Sequence, residues 1–208
     1  MLFAELTHGM KRAFAASVRW APARPLIGGI GIVALTYAVG SRDYLGLSVP
    51  LITRSLAGGA GVIAFAFALK LVFTALTLGS GFQGGEVTPL FVIGATLGAT
   101  MGRLLDVPVP LMAALGFVAV FAGATNTPLA CTVMGVELFG SGPVVVLAVA
   151  CVVAYVFSAH RGIYGAQRLD TPKNGASFAR ADDRVLTLQV LAGQRRHWLP
   201  ARGPRHKP

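Results

Sequence analysis

Residues 79–91 read GSGFQGGEVTPLF. Gly79, Ser80, Gly81, Gly84 and Gly85 make the first part of this stretch small and flexible, a glutamate stands at 86, and Thr88-Pro89 opens a strongly apolar run. The sequence on both sides is hydrophobic enough for a bilayer. A helix is therefore broken here and restarted, with the proline in the first turn, where its missing N–H is no loss. Non-helical backbone at membrane depth persists only where protein buries it or a wet cavity solvates it. Short segments interrupted by Gly and Pro mark ion or substrate sites in transporters. The break is thus expected to aim the free N–H groups of a helix start into a cavity, and such a start favours an anion.

The composition agrees with a membrane setting. Of 208 residues 54% are hydrophobic and 12% charged, with a mean hydropathy of +0.67, whereas soluble domains carry about 25% charged residues. The 26 glycines fit as well, since glycine is frequent in membrane helices. The chain reads as an integral membrane protein with room for one bundle and no second catalytic domain. Much of its net charge of +10 is concentrated in residues 161–208. A basic tail behind a membrane bundle reads as a positive-inside signal and contact with anionic lipid, not as nucleic-acid binding. Cys131 and Cys151 lie in apolar stretches and read as packing residues. His8, His160, His197 and His206 are scattered, so no metal site is expected. No cofactor is called for, and no nucleophile–base set points to an enzyme. The N-terminal stretch MLFAELTHGMKRAF carries Glu5, and its basic residues follow the apolar part when they should precede it. It reads as the tail of something truncated rather than as a signal peptide.

Apolar segments run roughly over 25–40, 43–52, 60–79, 88–105, 107–124, 126–139 and 142–159. A straight span needs about 20 apolar residues, and several of these are too short. Three in succession open on proline. The fold class is therefore all-α, a multi-pass membrane bundle of short, broken, tilted helices. From Leu169 onward the chain is polar, basic and proline-containing, apart from one alternating run, RVLTLQVL, at 184–191. Three parts follow: residues 1–24 as a truncated N-terminal segment, 25–168 as the transmembrane unit, and 169–208 as a largely disordered basic tail.

With GGEVTPLFVIGATLGA in view, the chain resembles the second half of the CLC family of chloride channels and proton-coupled anion exchangers. In that family a Gly-x-Phe-x-Pro motif opens a helix whose first N–H groups bind the central anion. The matching positions here are Gly85, Glu86, Val87, Thr88 and Pro89, with valine in place of phenylalanine. GEVTP resembles the fluoride-exporting bacterial branch, in which this threonine contributes its side chain to the ion site. FAGATNTPLACTVMGVELFG at 121–140 resembles the family's following helix pair. SAHRGIYGAQR at 158–168 resembles its last helix, whose tyrosine closes the inner side of the pathway, here Tyr164. The likeness covers about residues 25–168.

The resemblance implies the second inverted repeat of a CLC-type transporter in the bacterial inner membrane. It implies fluoride/proton antiport, with a chloride-selective relative as the alternative, and a homodimer in which each subunit has its own pathway. The family's gating glutamate belongs to a first half that this chain does not show, so a membrane fragment or interaction module that transports nothing is a further alternative. The candidate anion-binding residues are Gly85, Glu86, Val87, Thr88 and Tyr164. The N–H groups of Glu86 and Val87, with the Thr88 hydroxyl, would replace water around a small hard anion that demands short, charge-assisted donors. The Glu86 carboxylate would repel an anion and is expected to point elsewhere and structure the loop. The competing reading is an ordinary helix N-cap for residues 85–88 and an interfacial belt tyrosine for Tyr164. Lys70, Arg103 and Glu137 are ionisable residues in or near apolar segments. Such groups suggest function, yet Arg103 can snorkel and Glu137 can brace a helix, and all three read as structural. The glycines at 28–31 and 57–61 read as sites of close helix approach.

Overall fold

A computed structural model describes residues 2–158, 162–164, 168–169 and 186–187. Among the described residues eight helices follow one another: α1 Leu2–Ser17, α2 Ala23–Val39, α3 Val49–Leu56, α4 Ala66–Gly79, α5 Val87–Leu104, α6 Val109–Thr125, α7 Pro128–Phe139 and α8 Val144–Phe157. The protein is an all-α helical bundle with one small exception. Arg168–Leu169 and Leu186–Thr187 pair as two-residue antiparallel strands, and the second lies within the alternating run at 184–191. The rest of the basic tail lies outside the described residues.

Proline sets most of the helix starts. Pro25, Pro50, Pro89, Pro110 and Pro128 stand in the first turns of α2, α3, α5, α6 and α7, and Pro143 caps α8. Each lies where the helix has no N–H acceptor to offer. Among the described residues only α5 is long and apolar enough to cross a membrane by length and composition, and five further helices of 10–17 residues are apolar but shorter. The segment at 43–52 takes in only the first residues of the short α3. Residues 41–48 form an irregular connection before it. The first helix, α1, falls outside the apolar segments because its periodicity is amphipathic. It packs on α4 through Phe3, which joins Leu78, Leu90 and Ile93 in a buried cluster.

α5 and α6 form the most extensive helix pair of the bundle, and they run antiparallel. Glycine makes this possible. A Cβ built on Gly94 would strike the Gly116 carbonyl, one on Gly98 the Met112 carbonyl, and one on Gly116 the Gly94 carbonyl. Close backbone approach through small residues is how helices associate where the hydrophobic effect supplies no drive. Beside the seam, Phe91 stacks on Phe117 with centroids 4.2 Å apart, and Phe117 meets Phe139 edge-on at 5.7 Å. Cys131 and Cys151 are buried free thiols in the adjoining cluster with Val118 and Leu147.

The two other glycine groups behave differently from each other. Gly28 lies against Ser80 so closely that any side chain would collide, which is the close approach anticipated for residues 28–31. The group at 57–61 is a turn, with φ of 107° at Gly58, 77° at Gly59 and 70° at Gly61. Those glycines are there for left-handed backbone, not for helix contact, because a Cβ is disfavoured at such angles.

Candidate functional site

The break between α4 and α5 is gripped from its α4 side. Ser80, fully buried, donates its hydroxyl to Thr77 O at 3.0 Å and fills the space beside Gly28 of α2. One residue earlier, a Cβ on Gly79 would collide with Met10 of α1. The exit of α4 is thus wedged between α1 and α2. Residues 81–85 then run exposed, with Gly81 at a φ of 100°. Gly85 has open space where a Cβ would project, and its backbone is not left-handed. Nothing packed around Gly85 explains the glycine.

Glu86 occupies the N-cap of α5 with φ −92° and ψ −16°, and no side chain caps the helix. The N–H groups of Glu86, Val87 and Thr88 have no intrahelical partner by helix geometry, and Pro89 has none to offer. They face outward at the positive end of the helix dipole. Glu86, Val87 and Thr88 are half-buried. Neither the Glu86 carboxylate nor the Thr88 hydroxyl makes a hydrogen bond or ion pair with any described residue. Among the described residues no bond is present through which Glu86 would structure the loop. The arrangement offers two or three unpaired backbone donors and one hydroxyl, and it rests on the α5 seam just below.

Tyr164 is positioned by a different route. The Ile163 N–H donates to Ala124 O at 2.9 Å, and Ile163 packs against the cluster that holds Leu90 and Ile93. The register that sets Gly94 opposite Gly116 and Gly98 opposite Met112 carries on to bring the end of α6 level with the start of α5. Tyr164 follows Ile163 in the chain, with 51% of its surface exposed. Its neighbours at 159–161 and 165–167 lie outside the described residues. Residues 85–88 are therefore contiguous at one helix start, and Tyr164 hangs from a segment anchored beside it.

The other ionisable residues singled out lie elsewhere. Arg103 donates from Nη1 to Val62 O at 2.8 Å and packs on Gly59, bracing the glycine turn before α4. Glu137 is exposed on α7. Lys70 is buried in α4 and bound to loop oxygens. Close to the α6–α7 junction is a polar group that sequence reasoning passed over. Thr125 Oγ1 and Thr127 Oγ1 lie 2.7 Å apart, and Ser158 Oγ donates to Asn126 Oδ1 at 3.3 Å. Its signal was the Thr-Asn-Thr triplet ahead of Pro128.

Comparison with known proteins places these features in context. The model of a family described as "Voltage gated chloride channel" matches residues 1–159. The match begins at the first residue and ends short of Tyr164. A "Chloride/fluoride channel protein" of Pseudomonas syringae pv. tomato is 44% identical over 180 residues, covering 84% of this chain and 39% of that protein. A "Voltage-gated ClC-type chloride channel ClcB" of Salmonella typhimurium is 33% identical over 129 residues, or 57% of this chain and 29% of that one. The crystal structure of a CLC-type fluoride/proton antiporter superposes with a TM-score of 0.73 at 38% identity, covering 78% of this chain and 41% of that one. The chain spans about two fifths of the length of the most similar of these relatives.

Proposed function

The chain belongs to the voltage-gated chloride channel family, a family of membrane proteins, and we propose that it supplies one half of an anion pathway that exchanges fluoride for protons. What carries this reading is the uncapped start of α5, where unpaired N–H groups and the Thr88 hydroxyl stand together at a positive helix end. A fluoride ion is small and holds its water tightly, so it is released from water only to donors that are short, several and preorganised. The donors at residues 86–88 are backbone-borne and already aligned, so little ordering cost accompanies binding. The glycine seam holds that helix start rigid against α6. The likeness to a chloride/fluoride channel protein and to a fluoride/proton antiporter supports fluoride as the ion.

In this reading Tyr164 closes the inner side of the pathway, and the proton travels through a glutamate that another part of the transporter supplies. Multi-pass placement in the bacterial inner membrane and homodimer assembly belong to the same proposal. They are supported by the apolar residues that α7 and α8 leave exposed, Leu129, Val133, Val145, Val149 and Phe157 among them. A complete transporter containing this chain, reconstituted in fluoride-loaded liposomes, is expected to release fluoride, read with a fluoride electrode, whereas these 208 residues alone should be silent. Thr88→Ala should slow that release roughly tenfold, a loss of about 1.4 kcal/mol in differential binding, and Thr88→Ser should retain most of it. Chloride released as readily as fluoride would favour a chloride-selective relative, which the ClcB likeness supports. Release of neither ion would favour a membrane fragment or interaction module.

A further inference from the structure

Lys70 is the one charged residue of α4, and it is only 2% exposed. Its Nζ donates to Tyr44 O at 3.1 Å, Gly46 O at 2.7 Å and Ser48 Oγ at 2.8 Å. All three acceptors belong to the irregular connection between α2 and α3. The Ser48 hydroxyl donates to Leu45 O at 3.4 Å, so toward the lysine it accepts. An ammonium has three N–H donors and no acceptor, and here each donor meets an acceptor: two carbonyls that can only accept, and a hydroxyl whose own proton is directed to Leu45 O. A neutral amine would set its lone pair against one of them. The geometry is therefore that of a protonated lysine with every donor in use.

The connection needs this cation. Gly46 at φ 57° and Ser48 at φ 56° take left-handed backbone, and the turns they make bring the three oxygens together. Neither the Tyr44 nor the Gly46 carbonyl serves another donor among the described residues. Asp43, the carboxylate of the connection, is engaged at the surface with Arg54 at 2.9 Å. The cage thus holds the charge with neutral dipoles alone. An apolar side chain at position 70 would fill the α4 face without the cost of burying a charge, but it would leave two inward carbonyls unpaired. Tyr44, only 5% exposed, stacks on Phe73 one turn along α4, so the same segment is also seated in the core that joins α2, α3 and α4.

We propose that Lys70 is a tethered cation whose charge, not its bulk, clamps the 41–48 connection onto α4, and that the oxygen cage of Tyr44, Gly46 and Ser48 is in itself a site for a primary ammonium. The clamp stands apart from the anion reading and does not depend on it. The test uses the chain in lipid nanodiscs and follows hydrogen exchange of the 41–48 amides together with the thermal midpoint. Lys70→Met keeps the volume and loses the charge. It should raise exchange in that segment roughly tenfold and lower the midpoint by about 5 °C. Lys70→Ala leaves the cage empty. Propylammonium chloride, the missing end of the side chain, should restore protection to it, while tetramethylammonium at the same concentration, with no N–H to donate, should not. Wild-type exchange and midpoint in Lys70→Met, or equal effects of the two ammonium salts, would overturn the proposal. Should Lys70→Ala fail to fold, Lys70→Arg decides: it should stay closer to wild type than Lys70→Met, and equal behaviour of the two would sink the clamp.

Discussion

α8 is an almost unbroken run of apolar side chains, VVVLAVACVVAYVF, yet it buries only Leu147 and Cys151 and exposes Val145, Val149, Val152, Val153 and Phe157. α5 is less apolar, with threonines, glycines and an arginine, and it buries ten residues, Thr96 and Gly98 among them. In a soluble domain the order would be reversed. The difference follows from the solvent. Lipid tails are as apolar as valine, so large hydrophobic side chains gain nothing by leaving them, and helices pack where small residues let backbones approach. Between these two helices, burial follows the small residues more closely than hydrophobicity.

That contrast can be broken by substitution. The largest effect is expected at Gly98, where even a methyl group would meet the Met112 carbonyl. Gly98→Leu should part α5 from α6 and cost more than about 4 kcal/mol, seen as loss of a monodisperse species in detergent. Phe117→Ala comes next. It removes a ring stacked on Phe91 and edge-on to Phe139, and a fall of about 3 kcal/mol in unfolding free energy is expected. Val153→Ala on the exposed face of α8 should change stability by less than about 0.5 kcal/mol. A loss at Val153 as large as that at Phe117 would show that a partner covers α8 in solution, in keeping with the homodimer proposed above. Thr88→Ala sharpens the contrast from the side of function, because it should slow fluoride release while leaving the thermal midpoint near that of wild type.

Much of this architecture was legible along the chain. Prolines ahead of apolar runs located the starts of α5, α6 and α7, because a residue without an N–H is tolerated in the first turn and hardly beyond it. The Gly-rich break before Val87 located the candidate site for the same local reason. The segment at 43–52 misled because its apolar residues, Tyr44 and Leu51 among them, are buried from an irregular connection as well as from a helix. α1 was passed over because an amphipathic helix with Glu5, Lys11 and Arg12 lacks the continuous apolar signal of the others. The glycines at 57–61 and those at 94 and 98 look alike in sequence. One group serves left-handed turns and the other a backbone seam.

By itself the sequence determined the solvent this protein folds in, the starts of most of its helices and the position of the uncapped helix start with its threonine. Those features depend on composition and on neighbours a few residues away. Tertiary structure alone decided that Gly94 and Gly98 face α6, that Gly28 receives Ser80, that Ile163 is tied to Ala124 at the end of α6, and that Lys70 faces three oxygens some two dozen residues back along the chain. Each of those depends on which distant segment arrives opposite. A glycine or a lysine reads the same in sequence whatever it comes to touch.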